Sequence, residues 1–349
     1  MNYRHQLSLL SLFCLAAPLS AQGEVDLRTT AKKGASVWLL QEQKQESTID
    51  MGGQEIETSQ TTTRTVHVTV KDVDDKGNLV VETKIVRAQG AATMPMGMGD
   101  YEFDSATEKP AEAGAAEEDE GGFGNMGAMM KKMQMAGVGK SFTAKVSPYG
   151  KVVELTDGVA EIVGDDGAGM MMGGGMGKST LTQMVETAFG VLTDKPVAVG
   201  GKWEHKQKDT DGRMPAEHTV EMTLTKADAE ALEITATGTV TKPESKGDPA
   251  AEAGSEEEEM ARQMMKDMKM KNGKIVGSQK ISRVDGFVIE ATNTMSMDVE
   301  MESPMGEMAM TVKAVNTTKR TTAEAAMAVK KAESAKEPAK EEVVKEAGK

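Results

Sequence analysis

Val66, Val68 and Val70 alternate with Thr65, His67 and Thr69. A period of two sends one set of side chains to a buried face and the other to water, which predicts an antiparallel strand. Asp74-Asp75-Lys76-Gly77 then turns the chain into Leu79, Val81, Thr83 and Ile85, so 64–86 reads as a hairpin. Ser147-Pro148-Tyr149-Gly150, Asp285-Gly286 and Ser303-Pro304-Met305-Gly306 carry the same kind of turn chemistry. Met295, Met297, Val299 and Met301 fall on one strand face, and Met308, Met310 and Val312 on one face of the next. Helical spacing is scarce. Thr180-x-x-Gln183 resembles a capping box ahead of Leu181, Met184, Val185, Ala188 and Val191, predicting a helix over 180–192. Met260, Met264, Met265 and Met268 share a helical face opposite Arg262, Lys266 and Lys269. The Met–Lys segments Met129–Met135 and Met264–Met270 therefore read as short amphipathic helices.

The pattern recurs along the chain. Glu108–Gly122 and Lys242–Glu259 are both acidic and rich in Ala, Gly and Glu, and each runs into one of the Met–Lys segments. Arg64–Val70 matches His218–Leu224, and Leu79, Val81, Thr83 and Ile85 match Leu232, Ile234, Ala236 and Gly238. Trp38 after Gly34 matches Trp203 after Gly200-Gly201. The preserved order points to a tandem duplication, forming two similar domains or two halves of one sheet. The expected fold is mainly β: antiparallel sheets from that duplication, a few short helices and disordered acidic linkers. The expected organisation is a signal peptide at 1–21, a first β repeat at 22–165 and a Gly/Met-rich linker with a connecting helix at 166–194. A second β repeat at 195–320 and a low-complexity charged tail at 321–349 complete it. The linkers fall near 104–125 and 242–260, and their composition cannot bury enough apolar area to offset ordering entropy.

Composition narrows the chemistry. Arg4, the apolar run Leu7–Leu15 and Leu19-Ser20-Ala21 form an export signal with cleavage after Ala21. Cleavage removes Cys14, the single cysteine of 349 residues. The exported chain would then have no disulfide, no thiolate nucleophile and no cysteine-based metal site. Its expected location is periplasmic or extracellular. With 41 Lys+Arg against 55 Asp+Glu, it lacks the clustered cations that phosphate binding needs, which argues against nucleic acid as a partner. No second apolar run reaches the length of a transmembrane helix.

Two motifs resemble ligand loops and fail on spacing. Gly173–Thr180 (GGGMGKST) looks like a phosphate-binding loop, but Met172 stands where its first glycine is required. Asp72–Thr83 looks like a calcium loop, but Lys76 and Thr83 occupy ligand positions. His67, His205 and His218 have no spaced companions and fall on the polar alternation, so no catalytic or metal-binding histidine set is expected. No enzyme constellation and no cofactor emerge.

Methionine is the informative excess, 29 residues in all. Three readings stay open. Methionine fills irregular core gaps; it builds adaptable apolar binding surfaces; and its thioether selects soft metals such as Cu(I). The second reading nominates Met129, Met130, Met133, Met264, Met265 and Met268 as a surface for an unknown hydrophobic ligand or envelope protein. The third draws on Met94-x-Met96-x-Met98, Met126-x-x-Met129 and Met130-x-x-Met133 and makes the protein a periplasmic methionine-based Cu(I) binder. The leading expectation is a non-enzymatic exported binding or scaffolding protein.

Lys195-Pro196-Val197-Ala198-Val199-Gly200-Gly201-Lys202-Trp203, followed by long alternating strands, and the Val146–Val152 hairpin resemble an uncharacterised family of exported bacterial β-rich proteins, known as a domain of unknown function. The resemblance implies an antiparallel β-rich fold and cell-envelope export, and it brings no catalytic residues.

Overall fold

The computed structural model describes residues 23–93, 100–108, 131, 134–135, 137–163, 176–209, 216–242, 268–303 and 306–328. The export signal, almost all of both acidic linkers and the tail beyond 328 lie outside them. The strands are β1 (Ser36–Met51), β2 (Glu55–Val73), β3 (Leu79–Thr93), β4 (Tyr101–Asp104), β5 (Ser141–Val146), β6 (Val152–Leu155), β7 (Lys202–Asp209), β8 (Ala216–Ala227), β9 (Ala231–Thr241), β10 (Lys269–Ser282), β11 (Val288–Ser303) and β12 (Gly306–Thr321). The helices are α1 (Val159–Val163), α2 (Lys178–Phe189) and α3 (Ala323–Met327). All twelve strands form one antiparallel sheet in the order β6-β5-β3-β2-β1-β12-β11-β10-β9-β8-β7, with β4 beside β3. The two matching stretches thus share one sheet, joined where β1 pairs with β12.

The predicted hairpins form and agree in register. Val68 opposes Thr83 and Val70 opposes Val81, while Met222 opposes Ala236 and Leu224 opposes Ile234. The turn after β2 is closed by the Asp74 carboxylate. It accepts the Lys76 and Asn78 backbone N–H groups and the Lys145 ammonium at 2.8 Å, so the calcium-like loop is a hairpin turn. The correspondence fails at the tryptophans. Trp38 opposes His67, on the face away from Val66 and Val68, whereas Trp203 opposes Met222 on the core face. A one-residue slip is enough to reverse a strand residue's facing.

Helix α2 shapes the sheet. Its stripe Leu181, Met184, Val185, Ala188 and Phe189 is buried against Leu39, Val66, Val68, Leu79, Val81 and Phe142. The same helix touches both β6 and β11: the Glu186 carboxylate accepts the Val152 N–H at 3.0 Å, and Phe189 meets Phe287 at 5.1 Å between ring centres. Strands β6 and β11 stand six places apart in the sheet, so the sheet curls around α2. The helix boundaries differ from the expected 180–192. Gly177 caps it without a side-chain hydrogen bond, and Gly190, at φ +70°, ends it by donating to the Glu186 carbonyl. The apolar stripe, not Thr180, fixes this helix. Gly190 also packs against Ile281, where a Cβ would clash at 2.6 Å.

The segment 23–31 closes one end of the curled sheet. Val25 bridges Val197, the Thr29 N–H donates to Pro148, and the Thr30 hydroxyl donates to the Arg283 carbonyl. Opposite the core face, α3 packs over β2 and β3, with Ala326 fully buried. There Arg87 makes a bidentate pair with Asp104, at 3.0 and 2.6 Å, and donates to the Met327 carbonyl at 2.9 Å.

Candidate ligand-binding face

The core face of the sheet continues beyond α2, and strand register fixes what it presents. The first row is Arg64–Gln41–Thr318–Ala291–Gln279, running from β2 to β10. The next is Thr62–Gln43–Asn316–Asn293–Gly277, which extends through Ala236 and Met222 to Trp203. The third begins with Gln60 and Gln45, passes Ala314, Met295 and Ile275, and ends at Val220 and His205. The face therefore has two flanks. On β1 and β2 it is amide and hydroxyl. On β10 to β12 the first two rows carry Thr318, Asn316, Asn293 and Gln279, and beyond them β8 to β12 become mainly apolar and rich in methionine.

The predicted strand faces of Met295–Met301 and Met308–Val312 hold: Met297 opposes Val312, Val299 opposes Met310, and Met301 opposes Met308. Met297 and Met222 are buried, and Met270, Met295, Met301 and Met310 pack half-buried against the same cluster. Of the nominated residues, Met129, Met130, Met133, Met264 and Met265 lie outside the described residues, as do the Met94–Met98 and Met126 groupings. Met268 is 3% exposed, inside the core with Ile275 and Val299. The expected helix Met264–Met270 is corrected at its end. Lys269 and Met270 belong to β10, because ladder pairing with Glu300 and Val299 takes their backbone groups.

The histidine expectation also changes. His205 and His218 sit on the core face with Trp203 and Val220, not on a polar face. Burial lowers the His205 pKa, assisted by nearby Lys151 and His218. His67 stacks on Trp38 at 4.5 Å on the opposite face, and burial lowers its pKa as well. Among the described residues no three His, Cys, Asp or Glu side chains converge as a metal site.

Arg64 went unnoticed in the sequence. Its parity with Val66, Val68 and Val70 places it in the apolar register, and that parity was the available signal. The guanidinium donates from Nη2 to Gln134 Oε1, while Nε is buried with no acceptor. Among the described residues no carboxylate pairs with it, and burial lowers its pKa to about 10. Trp203 Nε1 is likewise buried without an acceptor on this face.

A 200 Å³ groove lies elsewhere, against the 23–31 segment, lined by Arg28, Leu192, Ile281 and Arg283 among others. Its polar lining includes Thr29, Thr30, Ser282 and Arg283 together with exposed Arg28.

Comparison with solved structures finds distant likenesses. Lipovitellin, in a structure concerned with lipid–protein interactions, aligns at 9% identity and a TM-score of 0.40 over 83% of this chain. The chain spans a quarter of the lipovitellin chain's length. DynF from the dynemicin pathway of Micromonospora chersina aligns at 8% identity and a TM-score of 0.19, covering 87% of this chain and 89% of its own. OccK11 of Pseudomonas aeruginosa gives 6% and 0.17, covering 84% and 99%. These scores carry no functional argument. No curated protein matches the chain. A family model described as a family of unknown function (DUF6263) matches residues 76–288, more than half of the sequence, and the chain belongs to that family.

Proposed function

We propose that this is an exported, non-enzymatic binding protein that takes an apolar ligand or partner on the curled sheet's core face. One observation carries the reading: past the end of α2, half-buried Met270, Met295, Met301 and Met310 extend the apolar cluster along β10 to β12. Methionine keeps such a surface adaptable, since its unbranched thioether repacks around different shapes. The binding surface moves, in this reading, from the Met–Lys segments to the sheet itself. Mass spectrometry of small molecules co-purifying with the protein tests it, together with binding of an apolar dye. Serine at Met295, Met301 and Met310 together should weaken dye binding. Unchanged dye binding by a folded triple variant would remove the face from consideration.

A methionine Cu(I) site is the second reading, favoured by Met301 lying directly across from Met308 with Met310 two residues along the same face. Anaerobic Cu(I) titration separates the two: stoichiometric binding lost on serine substitution of Met301 and Met308 would establish copper. Export is part of the proposal. A mature N-terminus at Gln22 in envelope or medium fractions is the expected result, and intact Met1 confined to cytosol would contradict it.

A further inference from the structure

The core face holds a cation that no carboxylate pairs among the described residues. Arg64 stands on β2 in the row that borders α2, opposite Gln41 on β1 and Ala88 on β3. The Gln41 side-chain amide is drawn to α2 through the Met184 carbonyl at 3.4 Å. That leaves Gln134 as the single hydrogen-bond partner of Arg64 among the described residues, and it is neutral. A buried charge without a partner is costly, and proteins normally pair it or lose it. Removal of the proton is not a route open to an arginine near neutral pH. The neighbouring apolar register would accept leucine or methionine here, as it accepts Val66 one step along the face.

We infer that Arg64 receives the anionic head of an amphiphile, a carboxylate on a long acyl chain, whose tail lies across the methionine flank. This rests on the proposed apolar-binding face and names its substrate class. Three features agree. The Arg64 Nε is buried without an acceptor, and guanidinium groups hold carboxylates by two parallel N–H donors. The flank around it, with Thr62, Gln43 and Gln60, is polar but uncharged, so it solvates a head without repelling it. Met295 lies three strands across and four residues along the same face, about 20 Å at the usual strand spacing and rise, a span that a long-chain acid covers and a short one does not.

The test uses the full-length protein with hexadecanoic acid, its methyl ester and acetate as probes, measured by calorimetry or dye displacement above the acid's titration range. Hexadecanoic acid should bind the wild type at least about tenfold tighter than the ester, the ratio expected of one charge-assisted contact. Arg64→Gln should bring that ratio to about one while ester binding persists, and Arg64→Lys should retain part of it. Equal binding of acid and ester by the wild type overturns the inference and leaves the apolar reading standing. Binding of neither overturns the apolar reading itself. Acetate binding as tightly as the long-chain acid would overturn the amphiphile class. If Arg64→Gln fails to fold by circular dichroism, the wild-type ratio and Arg64→Lys decide.

Discussion

Two arginines on neighbouring strands face opposite sides of the sheet, and their surroundings differ in one respect. Arg87, on the outer side, is clamped between both Asp104 oxygens and the Met327 carbonyl, with its side chain 8% exposed. Arg64, on the core side, is half-buried with a buried Nε, and Gln134 is its one hydrogen-bond partner among the described residues. The first arrangement satisfies a buried charge and ties α3 to the sheet; the second leaves the Arg64 Nε without an acceptor among the described residues. A fold selected for stability alone has reason to keep Arg87 and none to keep Arg64. The pair teaches that, in this protein, a buried cation is structural where an acid meets it and a candidate contact for a ligand where none does.

The sharpest way to break the comparison is to make Arg87 resemble Arg64. Asp104→Ala strands a buried guanidinium and should cost about 3–5 kcal/mol of stability. Urea denaturation of the two proteins reads the difference. The opposite substitution, Arg64→Met, removes a charge that no acid pairs among the described residues and should leave stability unchanged or raised. A loss of similar size in both variants would mean that Arg64 is as well satisfied as Arg87, and the contrast would fail.

A second contrast lies within the methionines. Met268 is 3% exposed, with its carbonyl accepting the Lys242 ammonium at 3.1 Å, whereas Met295 is half-buried at the margin of the same cluster. Met268→Ala should cost about 2–5 kcal/mol, as emptied core sites do. Met295→Ser should cost less and act mainly on ligand binding. Thermal melts with dye titrations distinguish the two. If both substitutions act on stability alone, methionine here is core filler throughout.

Much of the fold was legible, for a definite reason. The alternation around Val66 to Val70 and Met295 to Met301 has a period of two, and nothing but a strand satisfies it. The turn chemistry at Asp74–Gly77 and Asp285-Gly286 was equally direct, because Gly77 and Gly286 take the positive φ that the sequence offered. Lys269 and Met270 were misread because helical spacing and strand alternation overlap in a short Met–Lys run, and pairing with β11 decides between them. The histidines and Trp203 were misassigned for a similar cause: facing depends on register, which a single strand does not contain. Arg64 was visible in the string but silent, since what marks it is the absence of an acid across β1 and β3, a property of the assembled sheet.

Glu186 provides the smallest and most specific test, because it is a buried charge of the opposite sign. It sits on α2, 8% exposed, and accepts the Val152 N–H of edge strand β6. Burial raises its pKa above the ordinary 4.5, against the smaller lowering influences of that N–H and of nearby Lys151. For an acid raised in the folded state, the unfolded chain loses its proton first. Stability therefore falls as pH climbs from 4.5 to the folded pKa, and holds at the lower level above it. Glu186→Gln keeps an acceptor for Val152 and has no proton to lose. Relative to the wild type, this variant should gain stability as pH rises above the ordinary carboxyl range until the raised folded-state carboxyl has titrated, with the difference small and confined to that interval. Denaturation across the interval measures it. Parallel profiles would mean that Lys151 offsets the Glu186 charge, and that the contrast with Arg64 lies in having no counter-charge among the described residues.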